Sequence, residues 1–186
     1  MSGTPALGQK SPKDMNEPTN TMAPTTCEPA AAPSTQDAVA VLLADHRRIE
    51  ALLADVARVA ANDGAGHADR SGTVSRLGAL LKAHVRMEAE LLHAAVSDSE
   101  RPVGHVTQAR HGELLDSLHA LSAAEGADDA AYGEALTRLQ QSVRLHIVTQ
   151  EKELVPQLQA SPVDLLELGT QMSLRRAKLL GDQGVD

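Results

Sequence analysis

The stretch from residue 74 to residue 95 reads VSRLGALLKAHVRMEAELLHAA. Its seam positions are spaced alternately by three and four residues, the pattern of a helix with one face in a bundle core. His84 and Glu88 occupy consecutive positions of that seam. A polar side chain among apolar neighbours costs free energy unless a partner satisfies it. The stretch therefore predicts a bundle helix that carries a polar site in its core.

Three further segments have the same spacing, and each places one histidine in its seam. The first predicted helix carries His46, the third carries His111, and the fourth carries His146 followed one turn later by Gln150. One such histidine is ordinary in a core, but four that fold onto a common point predict a metal site. The other seam positions are Val39, Leu42, Leu43, Ile49, Leu53, Val56 and Ala60; Thr107, Leu114, Leu118 and Leu121; and Leu136, Leu139, Val143 and Leu154.

Capping residues and glycines mark the ends of the first two helices. Ser34 or Thr35 is expected to cap the first helix, and the glycine-rich segment 62–66 is expected to end it. The second helix is expected to begin after Ser71. Its pattern breaks in the polar segment 97–102.

The later helices have comparable signals. The third helix is expected to stop around 125–126, and Asp128 or Asp129 is expected to open the fourth. Pro156 is expected to kink or end that helix, because proline cannot donate a backbone hydrogen bond. A fifth helix is then predicted over 163–180.

Short links between long helices predict an all-α fold, an up-down-up-down four-helix bundle with an additional C-terminal helix. Residues 1–35 are rich in proline, threonine and alanine and are predicted to form a disordered tail. The bundle is assigned to 36–160 and the C-terminal packing helix to 161–186. Tyr132 is the only aromatic residue, so the core must be aliphatic, which suits closely packed helices.

Composition argues against several kinds of partner. The chain has 186 residues and a formal net charge of −8, so a nucleic-acid partner has no electrostatic support. No apolar run is long enough for a membrane span, and the N-terminus lacks the hydrophobic stretch of a signal peptide. Cys27 is the only cysteine, which leaves no internal disulfide and no thiolate cluster. A cytoplasmic monomer or dimer without membrane partners is expected.

Counting along the helices places the polar seam residues at shared depths. Four of them lie about eight or nine residues from one end of the bundle, about 12 to 14 Å deep, and two lie about one turn further. Such a space could hold two metal ions, with Glu88 as a bridge. Nitrogen and oxygen donors suit iron, manganese or zinc, and a bridging carboxylate among imidazoles favours iron. The predicted metal ligands are His46, His84, Glu88, His111, His146 and Gln150.

The sequence around these ligands resembles the hemerythrin-like HHE cation-binding domain over about residues 37 to 160. The later segment 166–172, LELGTQM, is similar to the ending of actinobacterial hemerythrin-like proteins. The segments that carry the main resemblance are 46–49 (HRRI), 84–88 (HVRME), 111–115 (HGELL) and 146–156 (HIVTQEKELVP).

The resemblance implies two non-haem iron ions, joined by carboxylate or oxo bridges, that handle dioxygen, hydrogen peroxide or nitric oxide. Some actinobacterial relatives are catalase-like peroxide scavengers, so peroxide turnover is one implied activity. Two alternatives stay open. A reversible binder or sensor of oxygen, nitric oxide or iron would keep the metal without turnover, whereas a metal-poor bundle would act as a partner-binding module.

Gln150 departs from the family pattern, in which a glutamate or aspartate usually stands four residues after the fourth-helix histidine. Glutamine offers only a neutral carbonyl oxygen, so one anionic ligand is lost and one metal subsite is expected to be weaker. Glu151 points about 100° around the helix, which makes it a poor direct substitute. The third helix supplies a single seam histidine, since Gln108 stands where relatives can have another.

The remaining candidates have plainer interpretations. Tyr132 is interpreted as a packing residue, and Glu50, one turn after His46, as an exposed carboxylate. Four histidines are assigned to loops or to positions off the main seam. These are His67, His93, His105 and His119.

Overall fold

The computed structural model describes residues 36–62, 67–92, 95 and 103–182. The regular elements in these ranges are all helical, which confirms the all-α prediction. The predictions for the tail at 1–35, for Cys27 and for the break at 97–102 lie outside the described residues. The helices are α1 (Ala38–Ala60), α2 (His67–Met87), α3 (Val103–Ala123), α4 (Asp129–Thr149), α5 (Val155–Ala160) and α6 (Leu165–Gly181).

Short segments of other helical geometry extend α2, α3 and α4. A π-helical turn follows α2 (Glu88–Leu92), another follows α4 (Gln150–Leu154), and a 3-10 turn follows α3 (Ala124–Gly126). Because α4, its π-helical turn and α5 are contiguous, they form one long helix. The described ranges thus hold the four bundle helices and α6 as the additional C-terminal helix, as predicted. In these ranges, no helix is both long and apolar enough to cross a membrane.

Aspartates cap three of the helices. Asp37 caps α1 by accepting a hydrogen bond of 2.7 Å from the third backbone N–H of the helix, so the predicted caps Ser34 and Thr35 are wrong. A carboxylate at this position satisfies a free N–H and complements the positive end of the helix dipole. Asp128 caps α4 in the same way, as predicted. Asp164 caps α6.

Polar residues and a proline lie inside helices at two places where the sequence predicted boundaries. Helix α2 begins at His67 rather than after Ser71, and the Thr73 hydroxyl donates a hydrogen bond of 2.9 Å to the Asp69 carbonyl within the first turns. The long helix does not end at Pro156. The proline lies in the first turn of α5, directly after the π-helical turn, where its missing N–H is tolerated.

The core is divided into two apolar clusters. Helix α1 packs against α2 and α6, while α3 packs against α4. One cluster fills the bundle and contains Ile49 of α1 and Val143 of α4; the other includes α6 residues and contains Leu42 and Leu154. Between these cluster members, α1 buries Asp45 and His46, and α4 with its π-helical turn buries His146 and Gln150 beside the apolar Ile147. A polar layer therefore separates the two clusters.

Gly169 sets how closely α6 approaches the start of α1. The residue is buried, and a Cβ atom there would overlap the carbonyl oxygen of Gln36 and lie 2.6 Å from the carbonyl carbon of Asp37. Both neighbours are backbone atoms, which cannot rotate out of the way. A larger residue at 169 would therefore displace α6 from α1.

We expect Gly169→Ala to lower the free energy of unfolding by about 1 to 3 kcal/mol, because overpacking against backbone forces the two helices apart. Gly133→Ala is the matched control, since nothing lies within 4 Å of a Cβ atom at that exposed position of α4. The control should gain about 0.5 to 1 kcal/mol from helix propensity. Urea unfolding measures both; equal stabilisation by the two substitutions would contradict the close contact.

Candidate metal centre

Six side chains from four helices meet in the polar layer. They are the residues predicted from the sequence, and each is at most 5% exposed. The imidazole rings lie against one another, with ring centroids 5.3 Å apart for His46 and His84 and 5.4 Å apart for His84 and His146. Their role as metal ligands stays a prediction. The layer consists of His46 of α1, His84 and Glu88 of α2 and its π-helical turn, His111 of α3, and His146 and Gln150 of α4 and its π-helical turn.

Glu88 lies at the centre of the polar layer. Its Oε2 atom is 2.9 Å from Nε2 of His111 and accepts a hydrogen bond of 2.7 Å from the Gln150 amide. Its Oε1 atom is 3.0 Å from Nε2 of His84, and Nε2 of His146 lies 3.7 Å from Oε2. The two oxygens of one buried carboxylate therefore face groups on three helices, as a bridging ligand requires.

Gln150 links His46 to Glu88. Its Oε1 atom lies 2.9 Å from Nε2 of His46, and because an amide oxygen can only accept, the imidazole is the donor in this contact. The amide nitrogen of Gln150 donates in turn to Glu88. A glutamate at position 150 could not make the second bond, so the glutamine replaces a charge repulsion with a hydrogen bond.

Both helices that supply two layer residues change to π-helical geometry at the second one. Helix α2 does so at Glu88 and α4 at Gln150. A π-helical turn contains more residues than an α-helical turn, and such turns are frequent at functional sites. In the second turn, Glu151 places its Oε1 atom 3.0 Å from Nδ1 of His46. This half-exposed carboxylate thus contacts the ring nitrogen that faces away from Gln150.

Asp45 was not among the predicted residues, although it contacts the polar layer. Its carboxylate is fully buried, and Oδ2 lies 3.8 Å from Nδ1 of His84. Arg176 of α6 donates a hydrogen bond to Oδ1 of the same carboxylate. The signal that could have found it is positional: Asp45 continues the buried stripe of Ala38 and Val41 on α1. An aspartate in that stripe is notable because the preceding stripe residues are apolar.

Burial and mutual contacts decide the protonation of the layer. Burial disfavours charged His84, but the Glu88 and Asp45 carboxylates outweigh it and raise the pKa of His84 to about 9. Burial and the other three imidazoles lower the pKa of His146 to about 3, against the attraction of Glu88. Burial would raise the pKa of Glu88, yet His84 and His111 hold it well below its usual range. A proton on His84 therefore neutralises Glu88 near pH 7.

The layer leaves polar atoms unsatisfied. Among the side chains that the structure describes, Nδ1 of His84 and Nδ1 of His146 are buried without a hydrogen-bond partner, and Oε1 of Glu88 has an ion-pair contact with His84 but no hydrogen bond. The Nε2 atoms of His84 and His146 face each other at 3.2 Å, a contact that needs a proton between the two imidazole nitrogens. Buried polar groups are normally paired. The two facing Nε2 atoms and the Glu88 carboxylate therefore fit a cation better than they fit one another.

The spacing of the donor atoms also suits a cation. One atom from each of His46, His84, Glu88 and His146 lies within 4.8 Å of the others. Opposite ligands of a single ion stand about 4.2 Å apart at bond lengths of about 2.1 Å, so small side-chain movements would bring these atoms into coordination. All of the donors are nitrogen or oxygen, which suits iron, manganese or zinc.

The other candidate residues lie apart from the layer or outside the described side chains. His119 and Glu50 are exposed on α3 and α1. Tyr132 packs in the apolar cluster of the bundle, with the Arg70 guanidinium 5.4 Å from its ring centroid, as expected of a packing residue. The side chains that lie outside the described part of the chain are those of His67, His93, His105 and Gln108.

Comparison with known proteins gives one match. Residues 37–158 match the family described as Hemerythrin HHE cation binding domain. The matched range contains all six residues of the polar layer and leaves out α6. No curated protein and no solved structure gave a significant match. The cation in the family description agrees with the donor set of the layer.

We expect the metal-free protein to lose stability as the pH rises from about 6.5 to about 9. Folded His84 holds its proton more tightly than unfolded His84, so its contribution is complete below the unfolded pKa of 6.5 and is lost as the pH passes the folded pKa of about 9. Urea unfolding across this range measures the loss. His84→Gln should flatten the slope, and an equally steep slope in that variant would contradict the assignment to His84.

Proposed function

Because the chain belongs to the hemerythrin HHE cation-binding domain family, we propose that its polar layer binds two non-haem iron ions. The bound iron handles dioxygen, hydrogen peroxide or nitric oxide, and catalase-like peroxide breakdown is one form of this activity. The observation that carries the proposal is the buried convergence of His46, His84, Glu88 and His146 within the matched range. Iron supplies the redox chemistry, while the chain supplies the ligands and their surroundings.

The layer residues have two distinct roles in holding the ions. The imidazoles of His46, His84, His111 and His146 provide neutral nitrogen donors, and Glu88 provides negative charge between them. Oε1 of Glu88 faces His84 at 3.0 Å and Oε2 faces His111 at 2.9 Å, so its two oxygens are directed at different histidines. This division of the carboxylate supports a bridging role.

The surroundings of the layer support a small ligand. Leu42 and Leu154 on one side and Ile49 on the other are buried in the two apolar clusters, which keeps bulk water away from the donor atoms. A cleft of about 210 Å³ between α3 and α4 has His146 in its lining, together with Arg110. This space is large enough to admit a molecule of a few atoms, such as dioxygen, peroxide or nitric oxide.

We expect His84→Ala to weaken iron(II) binding by at least about tenfold, because it removes a donor at the centre of the layer. His119→Ala is the matched control, since it deletes an exposed imidazole outside the layer. Anaerobic titration of full-length protein with iron(II) against a competing chelator measures both affinities. Equal iron binding by wild type and His84→Ala would contradict the proposed site.

We expect Gln150→Glu to raise the number of iron ions bound per chain and to destabilise the metal-free protein. The substitution adds an anionic donor, but it removes the hydrogen bond to Glu88 and places two buried carboxylates together. Metal analysis and thermal unfolding of the metal-free protein measure the two effects. Gln140→Glu, exposed on α4, controls for added charge. An unchanged iron ratio would show that Gln150 does not limit occupancy.

Two alternatives make different predictions in the same assays. A reversible binder or sensor of oxygen, nitric oxide or iron would hold iron but consume no hydrogen peroxide beyond that consumed by free iron. A partner-binding module, which the internally hydrogen-bonded Gln150 would permit, would bind no iron tightly and would have a similar thermal midpoint with and without iron. Steady-state peroxide decay on iron-loaded protein separates the first alternative from the enzyme.

The wider setting is also part of the proposal. The net charge of −8 supports a chain without nucleic-acid partners, and a cytoplasmic monomer or dimer without membrane partners is proposed with it. The similarity of segment 166–172 to actinobacterial hemerythrin-like proteins supports a closer relationship to those members, although this segment lies outside the matched range.

A further inference from the structure

Asp45 has two neighbours of different kinds. Oδ1 of its buried carboxylate accepts a hydrogen bond from Arg176 of α6, and Oδ2 faces Nδ1 of His84 at 3.8 Å. Within the described part of the chain, neither Oδ2 nor this Nδ1 has a hydrogen-bond partner. A separation of 3.8 Å is too long for a hydrogen bond. The two atoms are thus unsatisfied, buried and directed at each other, one ring movement away from bonding.

A histidine that binds a metal through one ring nitrogen needs such an acceptor at its other ring nitrogen. Such a histidine usually donates its second ring N–H to a carboxylate or carbonyl, which fixes the ring orientation and strengthens the donor nitrogen. Glu151 occupies the corresponding place for His46, at 3.0 Å from Nδ1. Of these two carboxylates, that of Asp45 is fully buried and that of Glu151 is half-exposed. Arg176 of α6 holds the Asp45 carboxylate in position.

Arg176 is the polar connection between α6 and the layer. Its side chain is largely buried, whereas Arg48, the other cation near Asp45, is mostly exposed and 3.7 Å from Oδ1. The preceding residue, Arg175, forms an ion pair with Glu90 at the protein surface. Two adjacent arginines of α6 thus make one ion pair that contacts the layer and one that does not.

We propose that Asp45 positions His84 for the cation and that Arg176 holds Asp45 in place, so that metal binding and the packing of α6 are coupled. The inference rests on the proposed function. Coupling of this kind is reciprocal: if α6 improves metal affinity, then the metal must stabilise the packing of α6 to the same extent. Asp45 and Arg176 are positioning residues, because neither supplies an atom to the cation.

The test compares a neutralised pair with a matched control. Asp45→Asn combined with Arg176→Gln removes both charges without leaving one of them buried and unpaired, and Arg175→Gln removes the neighbouring surface ion pair. Two quantities are measured on full-length protein. They are iron(II) affinity, by anaerobic competition with a chelator, and hydrogen exchange of the α6 amides with and without iron(II).

The double variant is expected to bind iron(II) about tenfold more weakly and to lose the iron-dependent protection of α6. Arg175→Gln is expected to keep both. Wild-type affinity in the double variant, or undiminished protection of α6, would overturn the inference while leaving the proposed function intact. If wild-type protein binds no iron(II), both are overturned.

Single variants keep the test decisive if the double variant does not fold. Arg176→Lys retains a positive charge beside Asp45, whereas Arg176→Gln does not. A purely structural role predicts equal iron(II) affinity for the folded fraction of both variants, which would overturn the inference. If Arg176 positions Asp45, Arg176→Lys should bind iron(II) nearly as tightly as wild type, whereas Arg176→Gln should bind it more weakly.

Discussion

The buried carboxylate of Glu88 is the constraint on which the rest of the structure depends. A negative charge that is fully removed from water needs positive charge and hydrogen-bond donors around it. Residues from α2, α3 and α4 supply them, so satisfying one carboxylate fixes the relative positions of three helices. The apolar clusters above and below hold the layer closed. The same low-dielectric surroundings that make this charge costly make a bound cation favourable.

The bundle and the composition of the layer could be predicted because both leave periodic signals. Seam spacing identifies the helices, and counting residues along them brings His46 and Glu88 to the same depth. The start of α1 was less predictable, because several polar residues able to cap a helix precede it. Asp37, the actual cap, lies where the start of α1 approaches Gly169 of α6, a proximity that no local pattern at the start of α1 encodes.

The features that escaped prediction all depend on contacts between distant segments. Asp45 resembles an ordinary surface acid because Arg47 and Arg48 follow His46 in the sequence. Its burial depends on α6, far along the chain, packing against that side of α1. The π-helical turns are similarly non-local: the one after α4 lets Glu151 reach His46 of another helix. Sequence periodicity does not register the π-helical turn, because that turn departs from regular helical spacing. Asp45 keeps the regular spacing of the buried stripe, but its partner Arg176 lies far along the chain.

The proposed chemistry depends on the polar layer binding a cation. The most direct measurement is an anomalous difference map at the iron edge, from crystals of full-length protein grown after iron(II) loading. We expect anomalous peaks among His46, His84, Glu88 and His146, with the Nε2 atoms of His84 and His146 no longer in mutual contact. Peaks only at the protein surface, with the layer still joined by its own hydrogen bonds, would contradict this expectation.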